Sequence, residues 1–491
     1  MPAMTDPTAS VSAVGSPDPG VPPVLLRGAT CVLPEATRVA DVLLESGRIV
    51  AIDPSPEEAA RAEEGGTVID AAGLHLLPGV VDSHVHFREP GLEHKEDLAS
   101  GSRAAAAGGV TTIFDMPNVK PPTTTVARLH AKLDRAARTC LVNHGFYVGA
   151  AIDNLDELRV ARRTPGIKIF IGSSTGSLAV DGQAELEAIF ARTTLPLCGH
   201  CEDEATVRAN AERIGGGRTP ADHSRIRDEA AAVRCVERVI DLVRRHRHRF
   251  HVLHVSTAAE CRLIAEARAE GLPLTGEACP HHLLLDDSDY ERLGTRVQVN
   301  PAVKTAADRA ALWDALRDGT LSAVVTDHAP HTAEEKDQAY PASPSGLPAV
   351  ENSLLLMLDR AAAGACTLEQ VVAWMCEGPC RVWGIPGKGR ILPGADADLV
   401  LVDLAAEHEV RDERQHTRCG WSPWHGARLK GTVVRTIVGG RTVYDRGRFD
   451  ETVRGREVRF PRTDDGSPDP SILAGPWVTD RALPAAAAGT A

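Results

Sequence analysis

The middle of the chain alternates short apolar runs with longer stretches of helical character. Eight β-rich runs stand out: Pro78–Val85, Val110–Met116, Leu141–Gly149, Ile167–Ile171, Leu195–Gly199, Phe250–Val255, Leu272–Gly276 and Ala323–Thr326. Ala-rich or charge-patterned stretches between most of them predict helices over Asp97–Ala107, Val126–Arg138, Gln183–Arg192, Asp228–Arg245, Ala258–Glu270 and Ala306–Arg317. Eight strands alternating with helices are what an α/β fold of the (β/α)8 TIM-like barrel type requires. Val297–Asn300 is a candidate ninth strand.

The flanks follow a different pattern. Val24–Arg27, Val39–Leu44, Arg48–Ile52 and Thr67–Asp70 precede the barrel region, and Ala397–Val402, Gly431–Val438 and Arg441–Tyr444 follow it. Each is a short strand bounded by turn residues, with little helix between. Two β-rich flanks of this kind predict one small β-sandwich. The expected division is a disordered tail over 1–22, a composite sandwich from 23–77 and 389–455, a barrel over 78–388, and a C-terminal extension over 456–491. The Ala/Pro-rich end, Leu483–Ala491, is expected to fray.

Composition narrows the class. Hydrophobic residues make up 43% and charged residues 25% of the 491, values that exclude a largely disordered chain. Aromatics are only 4%, so Ala, Val, Leu and Ile must build the core. A net charge of −13 excludes binding of nucleic acid through a general basic surface. No run approaches the ~18–20 apolar residues of a membrane span. Residues 1–22 carry Asp6 and Asp18 with no Lys, Arg or apolar stretch, which does not read as a signal peptide. Eleven cysteines, scattered and odd in number, read as reduced thiols of a cytoplasmic protein.

The chemistry concentrates at strand ends. In Asp82-Ser-His-Val-His-Phe-Arg88, the side chains of His84 and His86 alternate on a strand and share one face. Two imidazoles so placed can hold one metal ion. His200, His254 and Asp327 lie at or near the C-terminal ends of three later runs, the barrel face on which such folds keep their sites. His251 starts its run, and odd spacing sets it opposite His254, so it reads as structural. Lys168 interrupts the apolar Gly-Ile-Lys-Ile-Phe-Ile stretch, a costly position unless the amine is paired, snorkels or is modified. Reaction with CO2 would turn it into a carbamate able to bridge two cations. Four histidines, an aspartate and such a carboxylate suffice for two metals with open positions for water. Imidazole-rich ligation favours Zn2+, and Mn2+, Fe2+ or Co2+ also fit. The reaction class is hydrolysis of an amide-like bond, or its reverse, with Asp327 moving the proton.

At these residues the chain resembles the dihydroorotases of the amidohydrolase superfamily, over roughly residues 24–450. The resemblance rests on His84-Val-His-Phe-Arg-Glu-Pro-Gly91 with Lys95-Glu96, on Asp115-Met-Pro-Asn118 with Pro121-Pro122, and on Thr326-Asp-His-Ala-Pro-His331 with Glu334-Glu335-Lys336 and Ser345-Gly346. Trp421-Ser-Pro-Trp424 and Thr436-Ile-Val-Gly-Gly440 extend it into the C-terminal flank. It implies that His84, His86 and Asp327 hold a first metal, that His200 and His254 hold a second, and that carboxylated Lys168 bridges them. It assigns Arg88, Asn118 and His331 to a substrate carboxylate and places Asn300 near the substrate ring. The implied reaction is reversible cyclisation of N-carbamoyl-L-aspartate to L-dihydroorotate in pyrimidine synthesis, through a bridging hydroxide. A small-molecule substrate, no membrane and a homo-oligomer complete the implication. Hydantoinases and allantoinases share the metal ligands and are the alternative. Asn300-Pro-Ala-Val-Lys-Thr departs from the family's more usual Asn-Pro-Pro-Leu-Arg-Thr.

Three further features are weighed. Cys198-Gly-His-Cys201 has the spacing of a disulfide-exchange site but straddles a strand end, so redox chemistry is not expected. His281 and His282 read as packing or supporting residues rather than ligands. The charged, Pro-containing segment Thr332–Ser345 is a candidate lid.

Overall fold

The computed structural model describes residue 18, residues 20–172, 178–463 and 469. Most of the expected tail and the end Leu483–Ala491 lie outside the described residues.

Eight parallel strand positions close into a barrel. A three-stranded sheet joins Val80–Val85, Val110–Asp115 and Asn143–Phe146, and a six-stranded sheet runs from Val148–Gly149 through Ile167–Ile171, Leu197–Cys201, Phe250–Val252 and Leu274–Ala278 to Ala323–Val324. Only Tyr147 separates the two sheets along the third strand position. A parallel bridge from Val85 to His328 closes the ring, and the His86 amide donates to the His328 carbonyl at 2.7 Å. Side-chain caps explain where the outer helices start: Asp97, Thr125, Asp228, Thr257 and Thr305 each accept from a backbone amide three residues on.

The strand edges differ from the apolar runs in ways that matter for the site. The fifth strand ends at Cys201 and the seventh at Ala278, so His200 and Glu277 lie within strands. The sixth ends at Val252 and the eighth at Val324, short of His254 and Asp327. Both of those residues adopt positive φ, 39° and 47°, which a continuing strand cannot accommodate. Val297–Asn300 is not a strand. A 3-10 turn covers Gly294–Val297, and the Gln298 carbonyl is spent on the Gly346 amide and the Lys336 ammonium instead of a neighbouring strand.

Strands from both flanks form one nine-stranded sheet, in which His75–Pro78 pairs with Val24–Val32 on one side and with Leu399–Glu409 on the other. Leu26, Val42 and Ile49 share one apolar core with Leu399, Leu401 and Ile437, so the sheet wraps onto itself as a sandwich. A helix over Pro56–Gly65, absent from the sequence reading, starts with a Ser55–Glu58 capping box.

Candidate metal centre and substrate pocket

The first strand delivers His84 and His86 to the barrel mouth. His84 Nε2 lies 3.2 Å and His86 Nε2 2.9 Å from Asp327 Oδ1. Donor atoms of His84, His254 and Asp327 all lie within 4.8 Å of one another. His200 Nδ1 faces His254 Nε2 at 3.1 Å. The opposite nitrogen is held from behind in three of the four rings: His84 Nδ1 by Glu277 at 2.7 Å, His86 Nδ1 by Asn118 Oδ1 at 2.6 Å and His200 Nε2 by Glu202 at 2.8 Å. Carboxylate or amide oxygens there fix the tautomer and turn the free nitrogens inward, the arrangement by which proteins orient metal-binding imidazoles. Asp82 ties the first and eighth strands together through the Thr326 amide and hydroxyl at 3.1 and 2.6 Å.

Lys168 is 1% exposed, and among the described residues it has no acidic partner; its Nζ sits 4.4 Å above the Phe170 ring. It is therefore neither salt-bridged nor snorkelling. Burial lowers its pKa, favouring the neutral amine that reacts with CO2.

The electrostatics fit divalent cations. Burial alone would raise Asp327, but His84 and His86 hold it well below the usual carboxylate range. Burial likewise would raise Glu277, yet His251 and His84 draw it down to about 2. Burial lowers His86 to about 4 and lowers His200 and His254, leaving those imidazoles neutral. At His84 burial is outweighed by Asp327 and Glu277, which raise it to about 9. Two anions thus call for positive charge at this ring, and a cation at Nε2 supplies it in place of a proton.

Beside this cluster is a second, cationic one. Arg88 is 7% exposed and adopts φ 60°; it donates to the Pro330 carbonyl and lies 3.2 Å from His331 Nε2. Lys95 Nζ is 3.0 Å from His331 Nδ1. Lys95 is also paired with Glu335 at 3.0 Å, and His331 Nε2 faces the Ser345 carbonyl at 3.1 Å, so Arg88 is the cation here whose donors exceed its acceptors. No carboxylate among the described residues pairs with Arg88. Asn118 Oδ1 is occupied by His86 Nδ1. Asn300 behaves alike: its Oδ1 lies 2.9 Å from His223 Nε2.

Several contributors escape the sequence reading. Glu277 is the main one, and it revises the view of His251: that ring is structural, yet its Nε2 holds Glu277 at 2.9 Å and so supports His84. Glu202, paired with Arg227, does the same for His200. The trace in the sequence is weak: Glu277 is an acidic residue directly after the run Leu272–Gly276, which does not show what it pairs with. Cys198 and Cys201 are buried free thiols on one strand, and burial pushes the Cys198 thiol upward, away from redox reactivity.

The amidohydrolase family model matches residues 75–443. A dihydroorotase of Anaeromyxobacter dehalogenans is 37% identical over 427 residues, covering 84% of this chain and 95% of that protein. An allantoinase of Rubrobacter xylanophilus is 35% identical, covering 89% of this chain and 98% of its own length. The solved L-hydantoinase (dihydropyrimidinase) of Arthrobacter aurescens superposes with a TM-score of 0.84 at 29% identity, covering 90% of this chain and all of that one. No helix among the described residues is long and apolar enough to cross a membrane. The chain is an enzyme of the amidohydrolase family and belongs, within it, to the dihydroorotase branch of the cyclic amidohydrolases.

Proposed function

We propose that this enzyme interconverts N-carbamoyl-L-aspartate and L-dihydroorotate, a step of pyrimidine synthesis. The observation that carries this reading is the buried Arg88 guanidinium, without a carboxylate partner among the described residues and 3.2 Å from His331 Nε2. A guanidinium in this state suits a substrate carboxylate, which it can grip with two parallel hydrogen bonds.

His84, His86 and Asp327 would hold one divalent ion and His200 and His254 a second, with carboxylated Lys168 between them and Zn2+ the favoured metal. Such ions, when bound, acidify a water and polarise a carbonyl. Asp327 accepts the proton of the attacking water and hands it to the ring nitrogen as the acyl C–N bond breaks; cyclisation runs the same transfer in reverse. Arg88, Asn118 and His331 hold the α-carboxylate, and Asn300 faces the ring. The barrel of residues 78–388 houses this chemistry, and the sandwich of 23–77 and 389–455 braces it. The same reading has a cytoplasmic homo-oligomer acting on a small molecule; the eleven cysteines, all free and buried, accord with a reducing compartment.

A hydantoinase or allantoinase activity is the alternative, supported by the relatives of those names. One zinc-loaded preparation assayed on L-dihydroorotate, hydantoin and allantoin decides between them. A large preference for dihydroorotate is expected. Preference for either other ring would overturn the roles of Arg88, Asn118 and His331.

A further inference from the structure

Immediately beyond the seventh strand, Cys279-Pro-His-His282 turns into a short helix over Pro280–Leu284. The sulfur of Cys279 and a ring nitrogen of each of His281 and His282 lie within 4.8 Å of one another, and all three residues are buried. Among the described residues, both ring nitrogens of His281 and Nδ1 of His282 have no hydrogen-bond partner. His282 Nε2 lies 2.9 Å from the Pro301 carbonyl, which makes Nε2 the protonated nitrogen and leaves a bare lone pair on Nδ1. Three orphaned nitrogens in so small a buried volume are expensive as packing, because each has given up water for nothing.

We infer that Cys279, His281 and His282 form a third metal site, separate from the six donors of the catalytic centre and suited to Zn2+ or another thiolate-preferring divalent ion. A tetrahedral zinc with thiolate and imidazole ligands spaces its donors roughly 3.3–3.8 Å apart, so side-chain rotation alone brings the present group into range. Binding expels the Cys279 proton to solvent, since a coordinated thiol is deprotonated. Three protein donors leave one position for water. Burial keeps both imidazoles in the neutral, ligating form, His281 at about 4 and His282 well below its ordinary value.

The test uses sulfur as a label. The proposed catalytic ligands contain none, so a sulfur-to-cobalt charge-transfer band in Co2+-loaded protein reports a thiolate site alone. Metal-free full-length protein titrated with Co2+ should develop this band and bind three ions per chain. Cys279→Ser should lose the band and bind two, and His281→Ala should weaken the band's titration. Wild-type protein that saturates at two ions without a band overturns the proposal, as does a band that survives in Cys279→Ser. The wild-type titration stands even where a variant fails to fold. Dihydroorotate turnover in the same sample separates failure of this site from failure of the functional reading.

Discussion

Glu277 bonds two imidazoles, and the position of His84 depends on it. Its carboxylate sits between His84 Nδ1 and His251 Nε2, at 2.7 and 2.9 Å. Glu277→Gln keeps the shape and removes the charge. Metal affinity should fall about 10–100-fold, as for other residues that orient a metal-binding histidine, read by competition with a chelator. Asp327→Asn should lower turnover by orders of magnitude while much of the metal remains; retained activity would remove its role as proton shuttle. Arg88→Met should raise KM for dihydroorotate and spare metal content, whereas loss of metal would make Arg88 structural. The histidine pair is legible in the sequence because alternation places both rings on one face. Glu277 was not, because only the neighbouring strands show what it pairs with.

At the scale of elements, the strand ends explain the site. Arg88, His254 and Asp327 all adopt positive φ, a backbone state that costs a non-glycine residue energy and collects at functional positions. Apolar patterning locates a strand but does not register where its backbone turns, so the runs Phe250–Val255 and Ala323–Thr326 extend past the strands they mark. The segment Thr332–Ser345, a lid candidate in the sequence, is pinned in the structure. Buried Lys336 donates to the carbonyls of Gln298 and Pro344 at 3.1 and 2.8 Å, and Thr295 and Ser343 hydroxyls bond its own carbonyl. Lys336 has no acidic partner among the described residues, and burial depresses it to about 7. Between that value and the ordinary lysine range the unfolded chain binds the additional proton, so this residue's contribution to stability rises with pH from about 7 to about 10. Wild-type stability relative to Lys336→Met, from denaturant unfolding across that window, should increase with pH. A flat difference would mean that the ammonium is solvated.

At the scale of the molecule, the sandwich is joined to the barrel through Asp398. Its carboxylate pairs with Lys388 and accepts from Asn143, the first residue of the third barrel strand, at 2.9 Å and from the Gly439 amide at 2.8 Å. Asp398→Ala leaves these buried donors unanswered and should cost about 3 kcal/mol, the low end for breaking a buried pair because Asp396 still reaches Lys388 at 2.8 Å. Thermal unfolding should shift down with metal content unchanged. The sequence by itself determined the alternation of strands and helices, the faces of His84 and His86, and the anomaly of Lys168, because these follow from local periodicity and from the cost of charge in apolar runs. Tertiary structure alone decided the order of the strands in the shared sheet, that Glu277, Glu202 and Asn118 stand behind His84, His200 and His86, and that Arg88 has no carboxylate partner among the described residues. Those depend on which distant segments the closed barrel brings within hydrogen-bond reach, a distance no spacing along the chain encodes.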